Sequence, residues 1–178
     1  NHDRMAISVE FSPYYNGLSS FLDESKDPEF VSKSKARKYV RDAIRKARAP
    51  SPINEEYILS VINAESSFNR NAKSDVGARG MMQLMKETWG GVENTYPFEK
   101  FAYNPKVNIE VGVREKSRLV RAFEKEYYGW ESLSEREKLE LISAASNVGY
   151  GRLKSKGWNI DEMPRETRNH VKRVSKVY

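Results

Sequence analysis

The sequence predicts an all-α protein, and three observations carry that prediction. Apolar residues recur every three or four positions over several long segments, as they do on one face of a helix. Residues that favour helix starts, such as Asn, Ser and Asp, come directly before these segments. No stretch shows the sustained alternation of apolar and polar residues that marks a half-buried strand.

The composition indicates a globular domain. The chain has 178 residues, of which 38% are hydrophobic and 31% are charged, and this length is enough to bury a core. No apolar run approaches the roughly 20 residues of a membrane span, so we expect no stable span. The first residue is Asn1 rather than Met, which suggests a trimmed or mature form.

Two features of the composition narrow the functional classes. The chain has no cysteine, which excludes disulfides, cysteine nucleophiles and thiolate metal sites. The formal net charge of +6 favours polyanions or anionic surfaces as partners. Nucleic acid, a phospholipid surface and an anionic cell-wall polymer all fit this charge, and charge alone does not choose between them.

The first element is an N-terminal extension over residues 1–49. Residues 1–26 show no sustained period and predict an irregular arm, with a turn at 12–17. A helix is expected to begin at Asp27, which can cap it, with Pro28 in its first turn. This added helix, residues 30–48, is strongly basic. Its basic side is either a solvated face or a contact for an anionic polymer or lipid.

The second domain is predicted over residues 50–178. The stretch "APSP" at 49–52 breaks the chain, and Asn54 then caps a helix that runs to about Ser67. A polar, glycine-containing loop follows at 69–80, and a short helix is expected from Met81 to Trp89.

Three further helices complete the prediction. Asn104 and Pro105 open a long helix that runs to about Tyr128. Its inward residues are predicted to be Ile109, Val113, Leu119, Val120, Phe123 and Tyr127. Ser134 and Glu137 have the spacing of a capping box, and the last helix lies within 163–178.

Glu65 is a carboxylate beside an apolar helical stripe. Ile58, Val61, Ile62 and Phe68 lie three, four or seven residues away from it, which are spacings that share a helix face. Partial burial and the nearby C-terminal end of the helix both disfavour its anion and would raise its pKa. Such a protonated acid suits glycosidic bond cleavage. Alternatively, Glu65 is a boundary residue whose carboxylate reaches water.

Four motifs resemble the soluble lytic transglycosylase family, whose lysozyme-like fold is shared with goose-type lysozymes. The first is "ESSFNRNAKSDVGARGMMQLMKETW" at 65–89. Within it, the family's pattern is matched by Glu65-Ser66, Ala72-Lys73-Ser74, Gly77-Ala78-Arg79-Gly80, Met82-Gln83 and Thr88. The others are "YNPKVNIEVGV" at 103–113, "AASNVGYGRL" at 144–153 and "PRETRNHVKRV" at 164–174. They occur in the family's order and together cover roughly residues 53–178.

The resemblance implies a lysozyme-like catalytic domain that acts on peptidoglycan. Glu65 would be the general acid and then the base in cleaving the β-1,4 bond between MurNAc and GlcNAc, and a lytic transglycosylase is favoured over a hydrolytic lysozyme. The family pattern places Ser74, Met82, Gln83, Met85 and Asn147 along the glycan groove. Alternatively, Met81, Met82 and Met85 only fill the core, and Ser74 and Gln83 only satisfy loop backbone groups.

Two departures from the family pattern concern the pocket. Ser146 and His170 stand where the family usually has tyrosines near the catalytic Glu. We expect their loss to open the pocket, with Tyr150 refilling it from another direction. His170 would hydrogen-bond to Glu65 or titrate with it, or be a partly buried helix residue without a role. The altered pocket suggests a modified or deacetylated glycan as the substrate.

Asp75 is a candidate second acid. Goose-type lysozymes carry a second carboxylate in a nearby stretch, where it orients water for hydrolysis. Asp75 matches that register only to within one position. Its alternative role is that of a turn residue bound to its own backbone.

Two other functional classes compete with this prediction. A non-catalytic glycan-binding or structural module on the same scaffold is the main alternative. A nucleic-acid binder is disfavoured, because Phe30 and Tyr39 make no stacking platform in the basic helix. His2 and His170 are the only histidines, so neither a metal nor another cofactor is expected.

The resemblance also suggests partners and a location. Peptidoglycan glycan strands are the expected partner, with a second contact between helix 30–48 and an anionic wall polymer. We expect a monomer that is periplasmic, secreted or cell-wall associated, from a bacterium or a phage.

Overall fold

The computed structural model describes residues 27–175, which form eight α-helices and two 3-10 helices. The α-helices are α1 (Lys33–Ala47), α2 (Glu55–Ser66), α3 (Lys86–Gly90), α4 (Phe98–Phe101), α5 (Pro105–Glu126), α6 (Glu135–Val148), α7 (Tyr150–Ser155) and α8 (Arg165–Ser175). The 3-10 helices are Trp130–Ser132 and Ile160–Glu162. In this part of the chain only isolated β-bridges occur, so the all-α prediction is confirmed. The arm predicted for residues 1–26 lies outside the described residues.

Helix α5 is the central element of the fold. It packs against α1, α3 and α6. Four of the side chains predicted to point inward are fully buried, namely Ile109, Val113, Val120 and Phe123; Leu119 is also buried, and Tyr127 is partly buried. Within residues 27–175, no helix combines the length and the apolar character that crossing a membrane requires.

The predicted caps of three helices are confirmed. The Asn54 side chain accepts a hydrogen bond from the Tyr57 backbone N at 2.9 Å, at the start of α2. Asn104 caps α5 in the same way. At α6, Ser134 and Glu137 form the complete capping box. Each signal is local, because the capping side chain bonds to a backbone group three residues away.

The predicted start of the first helix at Asp27 is wrong. Helix α1 begins at Lys33 and is capped by Ser32, whose hydroxyl accepts from the Lys35 backbone N. The Asp27 carboxylate instead accepts a hydrogen bond from the Tyr39 hydroxyl at 2.7 Å. Residues 29–31 pair with the chain that follows α2 through two backbone hydrogen bonds. These tertiary contacts outweigh the local start signal.

Helix α1 shares the core of the rest of the fold. Ala36, Tyr39, Val40 and Ala43 are buried on its inner side, and the helix packs against α5 and α2. On its outer side, Arg37 and Arg41 pair with glutamates in the first turn of α2. The division of the chain at residues 49/50 stays a prediction.

The short helix predicted from Met81 to Trp89 is wrong over its first half. Only α3, residues 86–90, is helical. The preceding turn closes on itself, because Arg79 and Leu84 exchange two backbone hydrogen bonds of 3.0 Å. This turn is held in place by a side chain from α5.

That side chain is Asn108, which is fully buried. Its Oδ1 accepts from the Met82 backbone N at 2.8 Å, and its Nδ2 donates to the carbonyls of Arg79 and Ala102. The amide lies so close to Gly80 that an added Cβ there would be 2.9 Å from Asn108 Cγ. Only glycine therefore fits at residue 80, which also has a φ of +82°.

Replacing Asn108 with alanine should destabilise the protein strongly. The change would leave one buried N–H and two carbonyls without their partner, and each orphaned group costs about 1–3 kcal/mol. We expect a loss of about 3 kcal/mol or more in the free energy of unfolding, measured by urea denaturation. Asn63→Ala, at an exposed site on α2, is the matched control and should change it by less than about 0.5 kcal/mol. Equal effects of the two changes would contradict the role of Asn108.

Candidate active site

A narrow cleft of about 50 Å3 lies where α2, α5, α6 and α8 meet the turn that Asn108 holds. Its walls come from five parts of the sequence. The lining residues are Val61, Glu65, Met82, Gln83, Leu84, Met85, Thr88, Glu115, Lys116, Ser146, Asn147 and His170.

Most of the residues predicted to form the site lie in this cleft. The structure brings together Glu65, Met82, Gln83, Met85, Ser146, Asn147 and His170. It places Ser74, Asp75 and Tyr150 outside the cleft lining.

Glu65 stands in the last turn of α2, and its side chain is 22% exposed. Burial raises its pKa from the ordinary 4.5 to about 7, in the predicted direction. The nearby cations of Lys116 and Arg173 oppose this rise, whereas the carboxylates of Glu115 and Glu166 add to it. Burial decides the outcome, because the four charges act in opposite directions.

Ser66, the residue after Glu65, fixes the end of α2 against the turn. Its hydroxyl donates to the Met81 carbonyl at 2.8 Å, and it also lies 3.1 Å from the Ile62 carbonyl. The short polar side chain thus joins the helix that carries Glu65 to the loop that carries Met82. The resemblance motif contains this serine, and its contacts give it a positioning role.

His170 on α8 faces Glu65. Its Nδ1 lies 3.2 Å from the Glu65 Oε1, and the imidazole is buried. Burial, together with the cations Lys116 and Arg173, lowers the pKa of His170 to about 4. The contact is therefore not an ion pair at neutral pH, although its distance alone would suggest one. Nδ1 makes no well-aligned hydrogen bond to a described residue, and the Glu65 carboxyl is the polar group beside it.

The sequence analysis missed a buried polar cluster of Glu115, Lys116 and Ser146. Lys116 Nζ donates to Glu115 Oε1 at 2.7 Å and to Ser146 Oγ at 2.8 Å. Ser146 Oγ in turn donates to Glu115 Oε1 at 2.7 Å. Both charged side chains are only 4% exposed. Their mutual pairing makes this burial tolerable, since an unpaired charge there would be costly.

The missed residues did carry a signal in the sequence. Glu115 lies four residues before Leu119, and Lys116 lies four residues before Val120, so both share the inward faces of α5. Charged helix residues are usually solvated, so this spacing alone does not predict that the pair is buried.

Lys116 also bears on the predicted opening of the pocket at Ser146. The lysine ammonium lies against the serine hydroxyl, in the space beside this short side chain. Beside Ser146 the cleft wall therefore contains a charged group rather than empty space.

The methionines and Gln83 have distinct positions in the turn. Met81 is fully buried and does not line the cleft, whereas Met82 does so at 2% exposure. Met82 packs on Gly112 of α5, where an added Cβ would lie 2.9 Å from the Met82 Cε. The Gln83 side chain donates to the carbonyls of Ala72 and Gly80 at 3.0 Å. It thus satisfies loop backbone groups while bordering the cleft.

The three predicted residues outside the cleft have other contacts. Ser74 Oγ accepts a hydrogen bond from the Ala78 backbone N within the loop, and the neighbouring Asp75 is exposed. The Tyr150 hydroxyl donates to the Ala122 carbonyl and to Glu126. Its ring packs against Phe123 and Trp158 in an aromatic cluster, away from Glu65.

The cleft offers proton transfer by the Glu65 carboxyl. Glu65 is the lining acid with a pKa near neutrality, and a neutral imidazole lies beside it. Within residues 27–175, no group of three or more His, Asp or Glu side chains is arranged to hold a metal ion.

The shifted pKa values predict how stability depends on pH. Between pH 4.5 and 7 the folded state keeps a proton on Glu65 that the unfolded state has lost, so stability falls as pH rises. Between pH 4 and 6.5 the unfolded state protonates His170 and the folded state does not, so stability rises with pH. The two effects oppose each other where the windows overlap.

Glu65→Gln should therefore stabilise the protein at pH 8 but not at pH 4. Removing the buried carboxylate relieves a penalty of about 3 kcal/mol at pH 8, whereas at pH 4 Glu65 is already neutral. Urea denaturation at both pH values measures the difference. Glu124→Gln, at an exposed position of α5, should show no comparable difference. A loss of stability at pH 8 in Glu65→Gln would contradict the raised pKa.

Comparison with curated proteins finds lytic transglycosylases. The chain is 38% identical over 86 residues to membrane-bound lytic murein transglycosylase C from Histophilus somni strain 2336, covering 44% of this chain and 23% of that protein. It is 39% identical over 85 residues to the protein of that name from Haemophilus influenzae strain PittEE, covering 44% and 24%. The chain thus matches less than a quarter of the length of these relatives.

Solved structures give the same result for the fold. The 70 kDa soluble lytic transglycosylase from Escherichia coli superimposes with a TM-score of 0.59 and 25% identity, over 75% of this chain and 22% of that one. An inactive mutant of the lytic transglycosylase Slt from Pseudomonas aeruginosa superimposes with a TM-score of 0.55 and 25% identity. This match covers 78% of this chain and 22% of that one. The lysozyme-like helical fold that the motifs implied is confirmed.

The sequence model of the transglycosylase SLT domain matches residues 42–169, which is well over half of the chain. Glu65, the turn around Met82 and the α5 segment with Asn108 fall inside this match, which ends one residue before His170. The chain belongs to the transglycosylase SLT domain family.

Proposed function

We propose that this chain is a peptidoglycan lytic transglycosylase that cleaves the β-1,4 bond between MurNAc and GlcNAc, with Glu65 as general acid and base. The observation that carries the proposal is a carboxyl with a pKa of about 7 in the cleft. Membership of the SLT family supports the reaction class. The proposed place of action is the cell wall, in the periplasm or outside the cell.

The first step is protonation of the leaving oxygen. A general acid works best when its pKa is close to the ambient pH, and burial brings Glu65 to that value. The Glu65 carboxyl gives its proton to the glycosidic oxygen while the bond from C1 to that oxygen breaks. The GlcNAc 4-hydroxyl leaves, and the MurNAc ring takes on oxocarbenium character.

The second step returns the proton to the enzyme. The Glu65 carboxylate removes the proton from the 6-hydroxyl of the same MurNAc. The oxygen of this 6-hydroxyl then forms the new bond to C1. The product carries a 1,6-anhydro ring, no water is consumed, and Glu65 ends protonated as it began.

His170 is proposed to orient the acid. A neutral imidazole with its proton on Nδ1, 3.2 Å from Glu65 Oε1, can donate to that oxygen and leave the proton of the acid on the other oxygen for the substrate. A charged imidazolium at this distance would stabilise the carboxylate and lower the pKa of Glu65. The low pKa of His170 therefore helps to keep the acid protonated.

The polar wall around Ser146 supports a proposal about the substrate. Ser146, His170 and the Glu115–Lys116 pair line the cleft, whereas the resemblance leads us to expect tyrosine rings at residues 146 and 170. Hydroxyl and carboxylate oxygens are poorer partners for an acetyl methyl group than an aromatic face is. We therefore propose that the preferred glycan is a modified one, such as deacetylated peptidoglycan.

Glu65→Gln should remove nearly all turnover on purified sacculi. Glutamine keeps the shape of the side chain but provides neither the acid nor the base, and general acid–base catalysis contributes about 100- to 10,000-fold. Release of soluble fragments measures the rate, and Glu124→Gln should match the wild type. Unchanged turnover in Glu65→Gln would contradict the mechanism. Binding of sacculi by a wild type without turnover would indicate a glycan-binding module.

The mass of the wild-type products identifies the attacking group. A 1,6-anhydro end confirms attack by the 6-hydroxyl, whereas a reducing end means that water attacked. In that second outcome a further carboxylate must orient the water. Glu115 lines the cleft and Asp75 does not, so Glu115→Gln and Asp75→Asn would then be compared.

Chemically N-deacetylated sacculi should be cleaved at least as fast as native sacculi. The physical reason is that the polar wall gains little from the acetyl group. Initial rates of fragment release measure the preference, and sacculi that have been deacetylated and then re-acetylated control for chemical damage. A clear preference for native sacculi would overturn the substrate proposal and leave the reaction class intact.

A further inference from the structure

A second and larger hollow, of about 610 Å3, lies between α1 and α5. It shares no lining residue with the cleft around Glu65. Its lining includes four cations, Lys46 from α1 and Arg114, Arg118 and Arg121 from α5. We call it the basic hollow.

The three arginines form a row along α5. Their spacing of four and then three residues places them on one face of the helix, and they span about 10 Å along its axis. Glu115 and Lys116, which line the cleft, are turned away from this face by roughly 100° per residue. The same helix therefore presents the cleft on one side and a row of cations on another.

Two of the guanidinium groups are held in place by bonds to the loop after α3. Arg114 donates to the Glu93 carbonyl at 2.9 Å and to the Glu110 carboxylate at 3.3 Å. Arg118 donates to the Gly91 carbonyl. A guanidinium has five N–H donors, so these bonds leave others for a ligand. Their fixed orientation reduces the entropy that binding would cost.

The positive charge of the hollow is not balanced by its own lining. Glu93 is the one acidic residue among the lining residues, against four cations, of which Arg114 is also paired with Glu110 outside the lining. Lys46 and Arg121 make no ion pair to any residue in the range 27–175. The outward arginines of α1 differ from these, since Arg37 and Arg41 are already paired with glutamates of α2. Uncompensated charge in a concave surface attracts anions most strongly.

We propose that the basic hollow binds an extended polymer that carries phosphodiester or carboxylate groups at regular spacing. A linear row of cations matches a linear row of oxyanions, and guanidinium groups bind both kinds with paired hydrogen bonds. Nucleic acid is disfavoured. Tyr96 is the aromatic residue of the lining, and its ring is packed edge-on against Phe101 while its hydroxyl donates to Glu110. It is not free to stack on a base.

The test compares two double variants that change the net charge equally. Lys46→Glu/Arg121→Glu removes two cations of the basic hollow. Lys38→Glu/Lys156→Glu removes two exposed cations that line neither the hollow nor the cleft. Each takes the formal net charge from +6 to +2, because each substitution subtracts two charges. A fluorescent glycerol-phosphate hexamer and a fluorescent glutamate hexamer are the probes, and fluorescence anisotropy at low salt measures their affinity.

The expected result is that the first variant weakens the better probe about tenfold or more, while the second changes it by less than about threefold. The hexamer that binds better identifies phosphodiester or carboxylate as the ligand group. Three outcomes would overturn the proposal: no binding of either probe, equal weakening in both variants, or tighter binding of a thymidine hexamer than of both probes. Circular dichroism and thermal unfolding confirm that both variants are folded. The test is independent of glycan cleavage.

Discussion

The wall of the cleft depends on the hydrogen bonds that the carboxamide of Asn108 makes. The chain between α2 and α3 forms no helix and only isolated bridges, so its shape is set by a few hydrogen bonds. Asn108 supplies three of them from the buried first turn of α5, and Ser66 adds another from the end of α2. The position of Met82 relative to Glu65 follows from these two side chains. The cleft is thus fixed by buried polar groups and not by the apolar core alone.

The electrostatics of the cleft rest on a balance between burial and pairing. Burial favours the neutral forms of both Glu65 and His170. Lys116 would favour the Glu65 carboxylate, but Glu115 and Ser146 hold its ammonium and Glu115 offsets its charge. Because Glu115 offsets the charge of Lys116 in this wall, desolvation controls the proton on Glu65. The same burial that suits a catalytic acid makes the folded state less stable at high pH.

Local signals in the sequence predicted the helix starts at Asn54, Asn104 and Ser134, because each cap bonds within its own turn. The predicted helix starts at Asp27 and Met81 are wrong for the opposite reason, because distant residues set the backbone there. Tyr39 bonds to Asp27, and Asn108 bonds to the turn at Met82. The motifs pointed to Glu65, Ser146 and His170, and these three residues line one cleft in the structure. Glu115 and Lys116 were missed because a charged pair on a helix is normally solvated, and only the three-dimensional packing shows that they turn inward.

The contact between Gly112 and Met82 has a consequence for how this sequence can change over time. The bare Cα of Gly112 leaves the space that the Met82 side chain occupies. A methyl group at residue 112 would require a smaller residue at 82. A residue larger than methionine at 82 would not fit either, because glycine at 112 already provides the most space that this position can. The two positions lie 30 residues apart yet are expected to evolve as a pair. Related sequences that differ at one of them should therefore carry a compensating change at the other.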